Sequence, residues 1–179
     1  MSRRIALLGL SGVGKSTLIG RLRQSVQILH LQASALIKAE QAYRAQHADS
    51  SEALRLGAVM NNQDLLIAAY KREAQVTTLP IIFDGHNVID GRDGLVEIPT
   101  SVFRALDLNV ICYLSANPEL IAERRQMDVG RARPARDAVT LAEHQRIAYS
   151  AAERIAGEIG CDFVAIADDK IDHLIELVG

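Results

Sequence analysis

The chain has 179 residues, 49 % of them hydrophobic and 23 % charged, an ordinary globular composition in a length that suits one domain with a buried core. Its formal net charge of −2 argues against a general polyanion binder, so nucleic acid is not an expected partner and any basic patch has to be local. The two scattered cysteines, Cys112 and Cys161, indicate neither a disulfide framework nor a zinc site, and no apolar stretch approaches the roughly 18 residues of a membrane span, so a soluble cytoplasmic protein is expected.

The first apolar run, Arg4–Leu8, reads as a strand that leads directly into Gly9-Leu10-Ser11-Gly12-Val13-Gly14-Lys15-Ser16-Thr17. The spacing of Gly9, Gly14, Lys15 and Ser16 satisfies the phosphate-loop (Walker A) pattern, with a strand before it and a helix after it, where Leu18, Ile19 and Leu22 supply the inner face. Glycines let successive N–H groups turn inward, and a helix starting near Lys15 adds the positive end of its dipole. A polyphosphate is therefore expected on the segment carrying Gly9, Ser11, Gly12, Val13, Gly14, Lys15, Ser16 and Thr17. Lys15 reaches the β- and γ-phosphates, and the Ser16 hydroxyl faces Mg²⁺.

Further apolar runs at 26–32, 79–84, 108–114 and 161–167 alternate with helical segments. That alternation predicts a parallel sheet flanked by helices, with ligands at the carboxyl ends of the strands. A helix is expected over 33–48, with Leu36, Ile37, Glu40 and Tyr43 at helical spacing. Asp49 and Glu52 form a capping-box pattern for a short helix through Ala58, and Asn61 or Asn62 caps another that runs to about Gln75. This is more than a crossover needs, so 33–75 is expected to be an insertion with its own task. Arg55 within it is either a phosphate ligand or a solvated helix residue.

The third strand ends in Asp84-Gly85-His86-Asn87. A carboxylate closing a buried strand needs a partner, and Mg²⁺ at the neighbouring loop makes Asp84 the Walker B acid; a turn Asp before Gly85 is the alternative. His86 is either a substrate contact or a structural hydrogen bonder. Residues 90–99 read as an acceptor-side loop in which Arg92 either binds phosphate or is solvated, and Thr100 or Ser101 caps the next helix. Asn117-Pro118 starts a helix with Leu120 and Ile121 inward, ending in Arg124-Arg125. With Arg131, Arg133 and Arg136, these make an arginine-rich segment over 124–137, broken by Gly130 and Pro134. It is expected to close as a lid over the phosphates, the alternative being a basic surface patch. Thr140 and Glu143 form a capping box for a long helix with Ile147, Ala151, Ile155 and Ile159 buried and Gly160 closing it. Residues 168–170 are expected near the nucleotide base. Ile171, Leu174, Ile175 and Val178 give the last helix its apolar face.

Taken in order, the loop Gly9 to Thr17, the turn Phe83-Asp84-Gly85-His86-Asn87, the Gly94-Leu95 to Pro99 stretch, Asn117-Pro118 through Arg124-Arg125, the arginine segment and Glu143-His144-Gln145 resemble the archaeal-type adenylate kinases of the nucleoside monophosphate kinase superfamily. The resemblance implies a three-layer α/β P-loop NTPase fold in a single domain over 1–179: a five-stranded parallel sheet flanked by helices, with a lid and a helical acceptor-binding insertion. It also implies γ-phosphoryl transfer from ATP to an acceptor phosphate, with Lys15, Ser16 and Asp84 around MgATP and Arg124, Arg131, Arg133 and Arg136 as lid cations. Arg55 matches the arginine that holds the acceptor phosphate. Two departures touch the acceptor side: Leu31-Gln32-Ala33-Ser34 lacks a Gly-Asp pair, and Pro134 and Ala135 interrupt the lid arginines. Three activities are consistent with these residues: a nucleotide kinase, a kinase of small hydroxylated metabolites in which Asp84 doubles as proton acceptor, and an ATP-hydrolysing switch.

Overall fold

The apolar runs become strands because each can be buried on both faces, and Ile5 to Leu8, Ile81, Ile82 and Val110 to Leu114 are sealed from solvent. The computed structural model describes residues 2–46, 62–91, 94–128, 134–167 and 171–178. Its elements in chain order are β1 (Arg4–Leu8), α1 (Lys15–Ser25), β2 (Leu29–Gln32), α2 (Ala33–Gln46), α3 (Asn62–Gln75), β3 (Ile81–Asp84), β4 (Val88–Gly91), β5 (Gly94–Glu97), α4 (Thr100–Ala105), β6 (Val110–Ser115), α5 (Pro118–Met127), α6 (Ala138–Ile159), β7 (Asp162–Ala167) and α7 (Ile171–Val178). Among the described residues, no helix is long and apolar enough to cross a membrane.

Five strands form one parallel sheet in the order β2-β3-β1-β6-β7, and β4 pairs antiparallel with β5 in a separate hairpin. The register sets Leu7 of β1 level with Asp84 of β3, and Gln32 of β2 level with the same Asp84. The chain leaves β1 toward β2 on one side, whereas β3 connects across β1 to β6 on the other. Connections diverging from neighbouring strands open a crevice at their carboxyl ends, and Gly9 and Gly85 are the residues that enter it.

Several local expectations are corrected. The described residues of 90–99 are not an irregular loop, since Ile89 pairs with Val96 and Asp90 with Leu95 in the hairpin, whose base is closed by Ile98 N–H donating to Asn87 O at 2.8 Å. Neither Thr100 nor Ser101 caps α4; Pro99 holds the N-cap position, and the Thr100 hydroxyl donates instead to Glu158 at 2.7 Å. The N-cap of α6 is Asp137, whose carboxylate accepts Thr140 N–H at 2.8 Å, while Glu143 pairs with Arg146. Leu120 and Ile147 are exposed, at 43 % and 37 %. The inner faces belong to Ile121 on α5 and to Leu141, Ala148, Ala152 and Ile155 on α6, because small residues let α6 approach the sheet closely. The second strand is shorter than the run 26–32, and Cys161 falls just before β7.

Asn117 caps α5 by accepting Glu119 N–H at 2.8 Å, and Gly160 ends α6 in the left-handed region at φ 76°. Asn62 opens α3. The helices α2 and α3 pack on each other through Glu40, a carboxylate only 3 % exposed that accepts from Arg44 at 2.7 Å and Arg72 at 2.6 Å. The Asp49–Glu52 capping box lies outside the described residues.

Candidate active site

The loop after β1 is shaped by glycines at two positions, one closed to any Cβ and one where a Cβ would be strained. Gly9 has φ 151°, and a Cβ there would stand 2.6 Å from the Leu114 carbonyl oxygen of β6. Gly12 has φ 91°, and its Cβ would meet Arg125 Cγ at 3.1 Å. Gly14, also left-handed, occupies the N-cap of α1 and has no side chain to take up the first N–H groups of the helix. The first turn, Lys15-Ser16-Thr17, carries no carboxylate, so the amino end of α1 presents donors and the positive end of its dipole to an anion.

A cavity of about 240 Å³ opens over this loop and is lined by Ser11 to Ser16, Gln32, Asp84, His86, Arg124 and Asp128. Lys15 is 7 % exposed; its ammonium donates to Gly9 O at 3.1 Å and lies 3.8 Å from Asp84 Oδ1. Asp84, 5 % exposed, also has His30 Nε2 at 3.5 Å from Oδ2. His86 Nδ1 lies 2.7 Å from Gly9 O, an oxygen that can only accept, so Nδ1 carries the ring proton and the Nε2 lone pair remains. Lys15 Nζ is 3.3 Å from the same Nδ1. Burial first, and then the Lys15 charge, push His86 down to about 4, so its ring is neutral at physiological pH.

Ser16 and Asp84 offer a hydroxyl and a carboxylate on one cavity. This hard oxygen donor set suits Mg²⁺, which keeps several waters and takes its remaining ligands from substrate phosphates. Among the described residues, no group of three or more His, Cys, Asp or Glu side chains makes a metal cage by itself.

The other site residues expected from the sequence are distributed as follows. Gly9 begins the loop and supplies the carbonyl shared by Lys15 and His86, and Thr17 is exposed on α1. Arg124 lines the cavity and donates to Val13 O at 2.9 Å. Arg136 is held away from the loop, donating to Asp90 Oδ1 at 3.2 Å and Gly91 O at 3.1 Å. Arg55, Arg92, Arg131 and Arg133 lie outside the described residues, as does the 168–170 segment.

Sequence reasoning missed His30, whose place beside Asp84 follows only from β2 and β3 being neighbours. It also missed Asp90, and it read Arg125 as one more lid arginine. The Arg125 side chain is instead 7 % exposed, donating to Ser11 O and to Asp90. Asn87 and Gln145 serve as fixings: Asn87 donates to Ala148 O at 2.6 Å, and the Gln145 amide bonds both the N–H and the C=O of Ala116, at 3.1 and 2.8 Å.

Beside the phosphate cavity, on the α2–α3 side, lies a second cavity of about 230 Å³. Ile37, Leu66, Phe83, Ile89, Val102 and Phe103 wall it, Ser34, Asn62 and Gln63 supply polar groups, and His86 borders both cavities.

A family model described as AAA domain matches residues 8–142. The adenylate kinase of Pyrococcus horikoshii is 27 % identical over 154 residues, covering 83 % of this chain and 77 % of the relative. The adenylate kinase of Pyrococcus abyssi is 27 % identical over 158 residues, covering 85 % and 79 %. Among solved structures, TT1252 from Thermus thermophilus superposes with a TM-score of 0.52 at 16 % identity, covering 98 % of this chain and 94 % of the other. A sugar kinase from Janibacter sp. HTCC2649 superposes with a TM-score of 0.50 at 14 % identity, covering 98 % and 91 %. At those identities the structural likeness speaks for the fold. The matched family model, the glycine-shaped loop and the buried Lys15–Asp84 pair converge on one assignment: the chain belongs to the AAA-domain family and is an adenylate kinase-like P-loop kinase.

Proposed function

We propose that this chain is a nucleoside monophosphate kinase that transfers the γ-phosphoryl group of MgATP to the phosphate of an AMP-like acceptor. The observation that carries this reading is the adjacency of two unlike cavities, one lined by the phosphate loop and Asp84 and the other apolar with two amides and a hydroxyl, which meet at His86. A donor polyphosphate suits the first, and the flat, weakly polar base of a nucleotide suits the second. The names of the two Pyrococcus relatives support the same acceptor class.

In this reading the loop N–H groups and the start of α1 hold the donor phosphates, and Lys15 bridges the β- and γ-phosphates. An oxygen of the acceptor phosphate attacks the γ-phosphorus as the bond to the β–γ bridging oxygen breaks, giving ADP and the acceptor's diphosphate. The attacking oxygen is already ionised, so no side chain has to remove a proton. Ser16 and Asp84 would hold Mg²⁺, which would supply positive charge to offset that of the donor phosphates. Lys15 and Arg124 answer the charge spread over the transferring group. On the sequence pattern, Arg131 and Arg133 are assigned the same task and Arg55 and Arg92 are assigned to the acceptor, whereas Arg136, tied to Asp90 and Gly91, is not. His86, neutral and with its Nε2 lone pair, accepts a hydrogen bond from the acceptor.

The test is ADP production from MgATP by the protein alone and with each of a panel of nucleoside monophosphates, with Lys15→Ala as the blank. Stimulation by one monophosphate with stoichiometric formation of its diphosphate is the expected result. Slow hydrolysis indifferent to every acceptor, or phosphorylation of an alcohol in place of a phosphate, overturns it.

A further inference from the structure

Asp90 has no role in the reading above, yet its carboxylate is 9 % exposed and gathers groups from two helices. Arg125 of α5 donates to Oδ2 at 2.9 Å, Arg136, just before α6, donates to Oδ1 at 3.2 Å, and His144 Nδ1 of α6 stands 3.7 Å from Oδ2. Arg136 also donates to the Gly91 carbonyl at 3.1 Å, which ties the same residue to the hairpin backbone. A charge this enclosed persists only where it is compensated, and two guanidiniums over-compensate it.

Arg125 turns this node toward the phosphate loop. Its Nε donates to Ser11 O at 2.8 Å while NH1 reaches Asp90, so one planar fork spans a loop peptide and a hairpin carboxylate. Its stem lies against Gly12, where a Cβ would be 3.1 Å from Cγ. A peptide whose carbonyl is held outward is one that cannot flip, and the anion-binding shape of such a loop depends on where its peptides point. Ile89, the residue before Asp90, walls the apolar cavity, so the same hairpin touches both sides of the site.

We propose that Asp90 is a positioning residue for donor binding: it fixes the Arg125 guanidinium, and through it the Ser11 peptide of the phosphate loop, to the β4–β5 hairpin. The inference rests on the MgATP-binding part of the reading above and not on the acceptor, so it is tested with MgATP in the absence of any acceptor. The dissociation constant of MgATP is measured by calorimetry for the unchanged chain, Asp90→Asn, Asp90→Glu and Arg125→Lys, each with its melting temperature. Asp90→Asn should weaken binding about tenfold, as expected when one partner of a buried charge pair is removed and the loop it orders is released. Asp90→Glu, which keeps the charge, should recover affinity to within about threefold of the unchanged chain. Should Asp90→Asn not fold, Arg125→Lys asks the same question, because an ammonium lacks the planar fork whose Nε and NH1 meet Ser11 O and Asp90 separately, and a weakening in the same direction is expected. A folded variant of either kind with a lowered melting temperature and unchanged MgATP affinity would show a purely structural node and overturn the proposal. If the unchanged chain binds MgATP but phosphorylates no acceptor, the kinase reading fails while the effect of Asp90→Asn still supports this one.

Discussion

Gly9 is held to glycine by two constraints at once, a φ of 151° and a carbonyl oxygen 2.6 Å from where a Cβ would stand. Both act on the folded state, so Gly9→Ala is expected to cost about 2–3 kcal/mol in urea unfolding and to abolish measurable MgATP binding. Lys15 and Asp84 differ in that their cost is paid in function. Each is buried in the crevice with the other as counter-charge at 3.8 Å, and each is assigned to the same phosphates. Lys15→Ala and Asp84→Ala are therefore expected to lower turnover by on the order of 10³ or more, in a stopped assay for ADP with far-ultraviolet circular dichroism as the folding control. Wild-type-like turnover by either variant would remove that residue from the mechanism.

At the scale of elements, Glu40 joins α2 to α3. Burial alone would raise its pKa, but hydrogen bonds from Arg44 and Arg72, together with their charges, hold it below the ordinary carboxylate value of 4.5. A carboxylate whose folded pKa is depressed adds stability that is present above the unfolded pKa and is lost as pH falls through the folded one. Glu40→Gln should therefore lower stability by about 2 kcal/mol at pH 7, and the gap to the unchanged chain should close as the pH is taken below 4.5. Guanidinium titrations at several pH values check it, and a gap independent of pH would show packing at work in place of charge. The start of α5 makes a simpler case. Asn117 accepts the Glu119 N–H at 2.8 Å, so Asn117→Ala should cost about 1 kcal/mol with no change in MgATP affinity.

The whole molecule places its phosphate loop where connections from β1 and β3 diverge, and it braces that loop from several directions. Leu114 of β6 sits behind Gly9, Arg124 and Arg125 of α5 hold the Val13 and Ser11 carbonyls, and His86 holds Gly9 O. A ligand that binds a loop shared by so many elements stabilises the fold as a unit. At about 100 times its dissociation constant, MgATP is expected to add roughly 2.7 kcal/mol, a melting shift of about 5–10 °C for a chain of this size. Lys15→Ala should show little of that shift in the same scan.

The phosphate loop was legible in the sequence because its geometry is local: one strand, three left-handed glycines and a helix start lie within consecutive residues. The parallel sheet was legible from the alternation of buried runs with helices, since both periods follow from the backbone alone. The cap of α6 was misassigned because Thr140 and Asp137 both satisfy a cap pattern, and only the entry path of the chain selects Asp137. The hairpin at 88–97 was hidden because its residues, exposed at Ile89 and Val96, do not show a strand's one-sided pattern. His30 beside Asp84, and Asp90 between Arg125 and Arg136, have no local signal at all. The fold class and the loop can therefore be read from the order of the residues, because their causes are short-range. Tertiary structure alone decided which charges meet, because residues 35 positions apart, such as Asp90 and Arg125, become neighbours only when the elements carrying them pack together.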